Sequence, residues 1–137
     1  MFDLFVTHDW RENCDRSMVL SEIDNVLGLN WRNYGNIWFD PIINFSSVKG
    51  SETLKIMLEC QLIYSKAIIL IPTIYNSSNR GRKWIEITLS YANKLSIPVI
   101  GVIIGTEVSN EVLKSYTNQW VNCDGKIIVE LLRSILN

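Results

Sequence analysis

Apolar positions along this chain fall alternately into short continuous runs and helical stripes, and the fold is read from that alternation. Phe2–Thr7 (FDLFVT) is an apolar run with one edge charge, and it ends in polar His8 and Asp9. Cys14–Leu29 carries Met18, Val19, Ile23, Val26 and Leu27 at three-and-four spacing, which predicts a helix stopped by Gly28 and Asn30. Asn30–Asn36, with Trp31, Tyr34 and Gly35, reads as a loop. Ile37–Phe39 reads as a brief second strand ended by Asp40-Pro41, because proline cannot donate to a ladder.

Ile42–Gly50 reads as surface loop, and Ser51 as the start of a helix whose inner face is Leu54, Met57, Leu58, Gln61 and Leu62. Ala67–Ile71 (AIILI) is a central buried strand closed by Pro72, followed by a polar loop over Thr73–Asn79. The pattern then predicts a helix over Lys83–Leu95 and a strand over Pro98–Ile104. A shorter helix over Asn110–Tyr116, a short strand at Trp120–Val121 and a final helix over Lys126–Leu136 complete it.

Strand and helix thus alternate five times, which implies a parallel sheet with right-handed crossovers. The expected fold is a flavodoxin-like or TIR-like three-layer α/β sandwich. It has a five-stranded parallel sheet of order 2-1-3-4-5, helices on both faces, and a single domain over residues 1–137. Ligands of such sheets bind where strand order reverses, at the carboxyl ends of the first and third strands. Thr7, His8, Asp9 and Trp10 after the first strand and Thr73 after the third would line that crevice, with Asp40 beside it.

Composition narrows the classes. A chain of 137 residues, 47% hydrophobic and 20% charged, can bury one ordinary core. A net charge of −1 with scattered cations gives no nucleic-acid footprint. Cys14, Cys60 and Cys123 have neither metal nor redox spacing, so reduced thiols in a cytoplasmic protein are expected. The opening MFDLFVTHDW has no basic leader, and the runs Ala67–Pro72 and Ile97–Gly105 are shorter than the roughly 20 residues of a membrane span. No membrane association is expected.

Several chemistries of this fold lack their residues. A phospho-receiver needs an aspartate after the third strand, where Pro72-Thr73 stands instead. A flavodoxin phosphate loop would be rich in Thr, Ser and Gly where this chain has HDWREN. No Gly-rich nucleotide fingerprint occurs. The candidates that remain are few. His8 is the sole histidine and has an ordinary pKa near neutrality, so proton transfer, ribose positioning and a plain loop-anchoring hydrogen bond are all open to it. Asp40 is either a ligand at the crevice or a cap before Pro41. Arg80, Arg82 and Lys83 open a helix and either meet an anion or are solvated.

The sequence resembles one family at four places, spread over nearly the whole chain. FVTHDW is similar to the F-x-S-H-x-W opening of the bacterial TIR-like domains of the Thoeris anti-phage defence system, the ThsB type. Phe39-Asp40-Pro41 resembles their Asp-Pro after the second strand, and Lys83-Trp84 their Ser-x-Trp at the helix before the fourth strand. IPVIGVIIG resembles their K-P-I-I-G-V strand.

The resemblance implies an enzyme that takes NAD+ as substrate, with no permanently bound cofactor and no metal. Such an enzyme cleaves the nicotinamide–ribose bond and rebuilds the ADP-ribose part into a cyclic signalling nucleotide that activates a partner effector protein. Homo-oligomers are a further expectation. The implied site has Glu86, Asp40 and His8 as catalytic residues, with Thr7, Asp9, Trp10, Thr73, Trp84 and Thr88 around the substrate.

One spacing departs from the family. Its glutamate lies four residues after the Trp and ten before the strand's Pro, and both counts lead to Thr88. Glu86 is two residues early, about 200° around a helix. With Ser90 and Asn93 it falls opposite the broad apolar side formed by Trp84, Ile85, Ile87, Leu89, Tyr91, Ala92 and Leu95, with Thr88 near its middle. Glu86 is therefore either a solvated acid or, if the helix begins later, a crevice carboxylate. Two alternatives to catalysis on NAD+ stay open. One is a non-catalytic nucleotide-binding or assembly module with Thr88 at the glutamate position. The other is a nucleoside deoxyribosyltransferase-like enzyme, whose Gly-rich base loop is missing.

Overall fold

The computed structural model describes residues 1–11, 13–35, 48–105 and 110–136. In chain order the elements are β1 (Phe2–Val6), α1 (Cys14–Leu27), β2 (Trp31–Asn33), α2 (Val48–Leu62), β3 (Ala67–Leu70) and α3 (Pro72–Ser77). They continue with α4 (Asn79–Lys94), β4 (Val99–Ile103), α5 (Glu111–Tyr116), β5 (Gln119–Asn122) and α6 (Gly125–Leu136). The five strands form one parallel sheet of order 2-1-3-4-5, as the alternation predicts. Every residue of β3 is buried, as a central parallel strand between helical layers must be. The edge strands β2 and β5 are half-exposed.

Helices cover both faces. On one face α1 packs against α6, so closely that a Cβ on Gly125 would lie 2.1 Å from the Glu22 carbonyl oxygen. On the other, α4 packs against α2, α3 and α5. Gly101 in β4 has no side chain because the Trp120 ring lies there, 2.3 Å from where its Cβ would stand. Among the described residues no helix is long and apolar enough to cross a membrane.

Four elements differ from the sequence reading: α2 starts at Val48, within the stretch read as surface loop, and three others differ for local reasons. The second strand is Trp31–Asn33, within the stretch read as a loop, while residues 37–39 and Asp40 lie outside the described residues. An edge strand of three half-exposed residues has no apolar run to announce it. It is held by pairing with β1 and by the Asn33 side chain, whose Oδ1 accepts from Val6 N at 3.1 Å and Gly35 N at 2.9 Å. Thr73–Ser77, within the stretch read as loop, is helical: Pro72 starts α3, where its missing N–H is no loss, and Ser78 is extended. Finally, α4 begins at Asn79 instead of Lys83, because Ser78 caps it by accepting from Gly81 N at 2.9 Å.

Candidate functional site

The carboxyl ends of β1 and β3 meet as the strand order requires, and Thr7 binds them together. Its backbone N–H donates to the Ile69 carbonyl at 3.0 Å, and its hydroxyl accepts from Ile71 N at 2.9 Å. Thr7 is fully buried, so its polar groups are held by the sheet's end. Asp9 is likewise committed. Arg11 N donates to its Oδ1, while the Arg11 guanidinium (2.6 Å) and the Ser77 hydroxyl (3.2 Å) reach its Oδ2. The same carboxylate lies 3.3 Å from where a Cβ on Gly81 would stand. Asp9 therefore ties the β1 loop to the α3–α4 junction.

His8 is 2% exposed and sits among aromatic rings. Its ring centroid lies 5.9 Å from Phe5, 5.2 Å from Trp10 and 6.0 Å from Trp84. Among the described residues neither ring nitrogen has a hydrogen-bond partner. Burial, together with the neighbouring Arg16 guanidinium, holds the imidazole down at about 3, against an ordinary 6.5, with Asp9 pulling the other way. At neutral pH His8 is thus an uncharged donor and acceptor.

Trp10 follows at φ 66°, a left-handed conformation uncommon for so large a residue. That turn lays its ring 4.4 Å from Trp84, with the Arg80 guanidinium 4.8 Å above it. Trp84 is buried and Trp10 half-buried, so Trp10 is the ring with an open edge.

Arg16 was not among the residues the sequence singled out. It is buried at the start of α1, donating to the Thr7 carbonyl at 3.0 Å and the Gly35 carbonyl at 2.9 Å. It links the ends of β1 and β2, and burial lowers its pKa. The signal was available, since Arg16, Val19, Ile23 and Leu27 share one three-and-four stripe.

The other carboxylate stands elsewhere. Glu86 is the eighth residue of α4, exposed, on the face turned from Trp84. Its Oε1 accepts from the Tyr75 hydroxyl of α3 at 2.8 Å, a bond that raises the Tyr75 pKa. It lines a groove of about 580 Å³ with Lys55 of α2 and Lys83, Ile87, Ser90, Tyr91 and Lys94 of α4. No hydrogen bond joins Glu86 to His8 or Asp9. Thr88, where the family's spacing places a glutamate, is fully buried and donates its hydroxyl to the Trp84 carbonyl at 2.8 Å.

The structure therefore brings together Thr7, His8, Asp9, Trp10 and Trp84 around the end of β1, and places Glu86 in a separate outer groove beside Tyr75. Thr73 is exposed in the first turn of α3, and Asp40 lies outside the described residues. Tyr75 could not be found from sequence, because its partnership with Glu86 is made between two helices. Among the described residues no group of His, Cys, Asp and Glu is arranged to hold a metal. No protein-family model, curated protein or solved structure matches the chain.

Proposed function

We propose that the chain is a TIR-like enzyme that cleaves NAD+ in the cytoplasm and converts its ADP-ribose part into a cyclic signal for a partner effector, as in anti-phage defence. The observation that carries the reading is the position of Glu86: an exposed carboxylate, oriented by the Tyr75 hydroxyl, inside the 580 Å³ groove. The family resemblance of the four motifs and the 2-1-3-4-5 sheet support it.

Departure of nicotinamide leaves an oxocarbenium-like ribose, and a fixed carboxylate beside it stabilises the developing positive charge. Glu86 takes that role, and the Tyr75 hydroxyl fixes the direction of its lone pairs. His8, neutral at pH 7 and buried at the end of β1, lies apart from this groove and packs against the Trp10 and Trp84 rings. The test is nicotinamide release from NAD+ by the purified chain and by its Glu86→Gln variant. Loss of release in the variant supports the assignment; undiminished release removes Glu86 from catalysis.

A second reading is favoured by Thr88. The helix position where the family keeps its acid is sealed in the core, so a binding module without catalysis is the alternative. Such a module would bind NAD+ or a related nucleotide and release no nicotinamide.

A further inference from the structure

Two unfavourable features coincide at the end of β1. His8 is 2% exposed, and among the described residues neither of its ring nitrogens has a hydrogen-bond partner. A neutral imidazole has one donor and one acceptor to satisfy, so burying both unmet disfavours the closed arrangement. Trp10, two residues on, has φ 66°, a left-handed conformation that is strained for a bulky side chain and persists only where surrounding contacts enforce it. Strain and unmet hydrogen bonds thus fall within three residues of each other.

The three rings around His8 are not equally anchored. Phe5 of β1 and Trp84 of α4 are core residues, 0% and 1% exposed. Trp10 lies on the loop, half-buried, with its ring set edge-on to the imidazole at 5.2 Å and 78°. The chain on either side of it is tied down, Thr7 to Ile69 and Ile71, and Asp9 to Arg11 and Ser77. The contacts that hold the Trp10 ring inward include packing on Trp84 at 4.4 Å and the Arg80 guanidinium at 4.8 Å. Both are face contacts of modest strength, which a short swing of one side chain breaks.

We infer that Trp10 is a lid over His8, which swings outward while the sheet and helices stay folded and so exposes an imidazole that the closed form leaves unpartnered. Opening gives up the Trp84 and Arg80 contacts. In return it releases the left-handed turn and lets water, or a ligand carrying a hydrogen-bonding group, reach both ring nitrogens. The closed and open states together gate the only histidine in the chain. None of these residues lines the Glu86 groove, so the lid stands or falls independently of NAD+ cleavage.

Because His8 is the sole histidine, its modification by diethyl pyrocarbonate, followed at 240 nm, reports its exposure alone. The experiment measures that rate on the full chain at pH 7, with urea raised in steps below the unfolding transition. A lid predicts a rate about 10- to 1,000-fold below that of free imidazole, from a minor open state. It also predicts a rate nearly flat across this urea range, because local opening exposes little surface. Arg80→Gln, which removes one clasp, should raise the rate about threefold with circular dichroism and melting temperature intact. Trp10→Ala should raise it about tenfold or more. No modification before global unfolding, a parent rate that climbs with urea in step with unfolding, or a rate that neither variant raises overturns the lid.

Discussion

Trp10 and Trp84 meet with ring centroids 4.4 Å apart and planes inclined at 46°, although one lies in the loop after β1 and the other in α4. Their contact fastens the β1 loop to the helix that carries Glu86, and it makes His8 a buried residue. Trp84→Ala should destabilise the chain by about 3–5 kcal/mol, since a large side chain leaves a cavity. A double-mutant cycle with Trp10→Ala should return a coupling of about 0.5–1.5 kcal/mol. Urea unfolding of the two single variants and the double variant measures both.

His8 gives the chain a pH dependence of definite sign. Folded, its imidazole stays neutral down to about pH 3; unfolded, it takes a proton near 6.5. Between those values the unfolded state binds more protons. The stability tied to a neutral His8 is therefore complete above about pH 6.5 and is lost as pH falls toward 3. The slope approaches about 1.4 kcal/mol per pH unit. The unfolding free energy of the parent chain minus that of a His8→Phe variant, measured at pH 7.5, 6.0 and 5.0, should fall as pH falls. A constant difference between them would refute the buried neutral imidazole.

Thr88→Glu is expected to damage the fold instead of restoring a family-like active site. The Thr88 side chain is fully enclosed, and a carboxylate there would be buried among Trp84, Ile85 and Leu89. Thermal melting should show a large loss of stability or no cooperative transition, whereas Thr88→Val should cost only about 1 kcal/mol for the lost hydrogen bond. A stable Thr88→Glu chain would contradict this placement.

Gly101→Ala tests the packing beneath β5. The added methyl would overlap the Trp120 ring, and overpacking of this kind costs about 1–3 kcal/mol. Trp120→Leu in the same chain should recover part of that loss, as read by urea unfolding. If the double variant is no more stable than Gly101→Ala, the ring is not the obstacle.

The strands that carry the fold were legible because β3 and β4 are continuous apolar runs and β1 is one interrupted only by Asp3, a pattern that suits a doubly covered sheet. β2 was hidden because an edge strand of three half-exposed residues needs no such run. α3 was hidden because Pro72 marks a helix start as well as it marks a strand end. In the site, His8 stood out as the sole histidine, yet its burial depends on Trp84, 76 residues further along. Asp9 looked like a ligand residue, but Arg11 and Ser77 occupy its carboxylate. The exposure of Glu86 followed directly from helical period. Its partner Tyr75 belongs to the helix that the sequence reading missed.

The most direct measurement is the rate of nicotinamide release from NAD+ by the parent chain beside Glu86→Gln and Tyr75→Phe. Expected is release by the parent chain, loss of about 100-fold or more in Glu86→Gln, and a smaller loss in Tyr75→Phe, where the carboxylate stays but is no longer fixed. Release unchanged in Glu86→Gln, or no release by the parent chain, would contradict the proposed catalytic function.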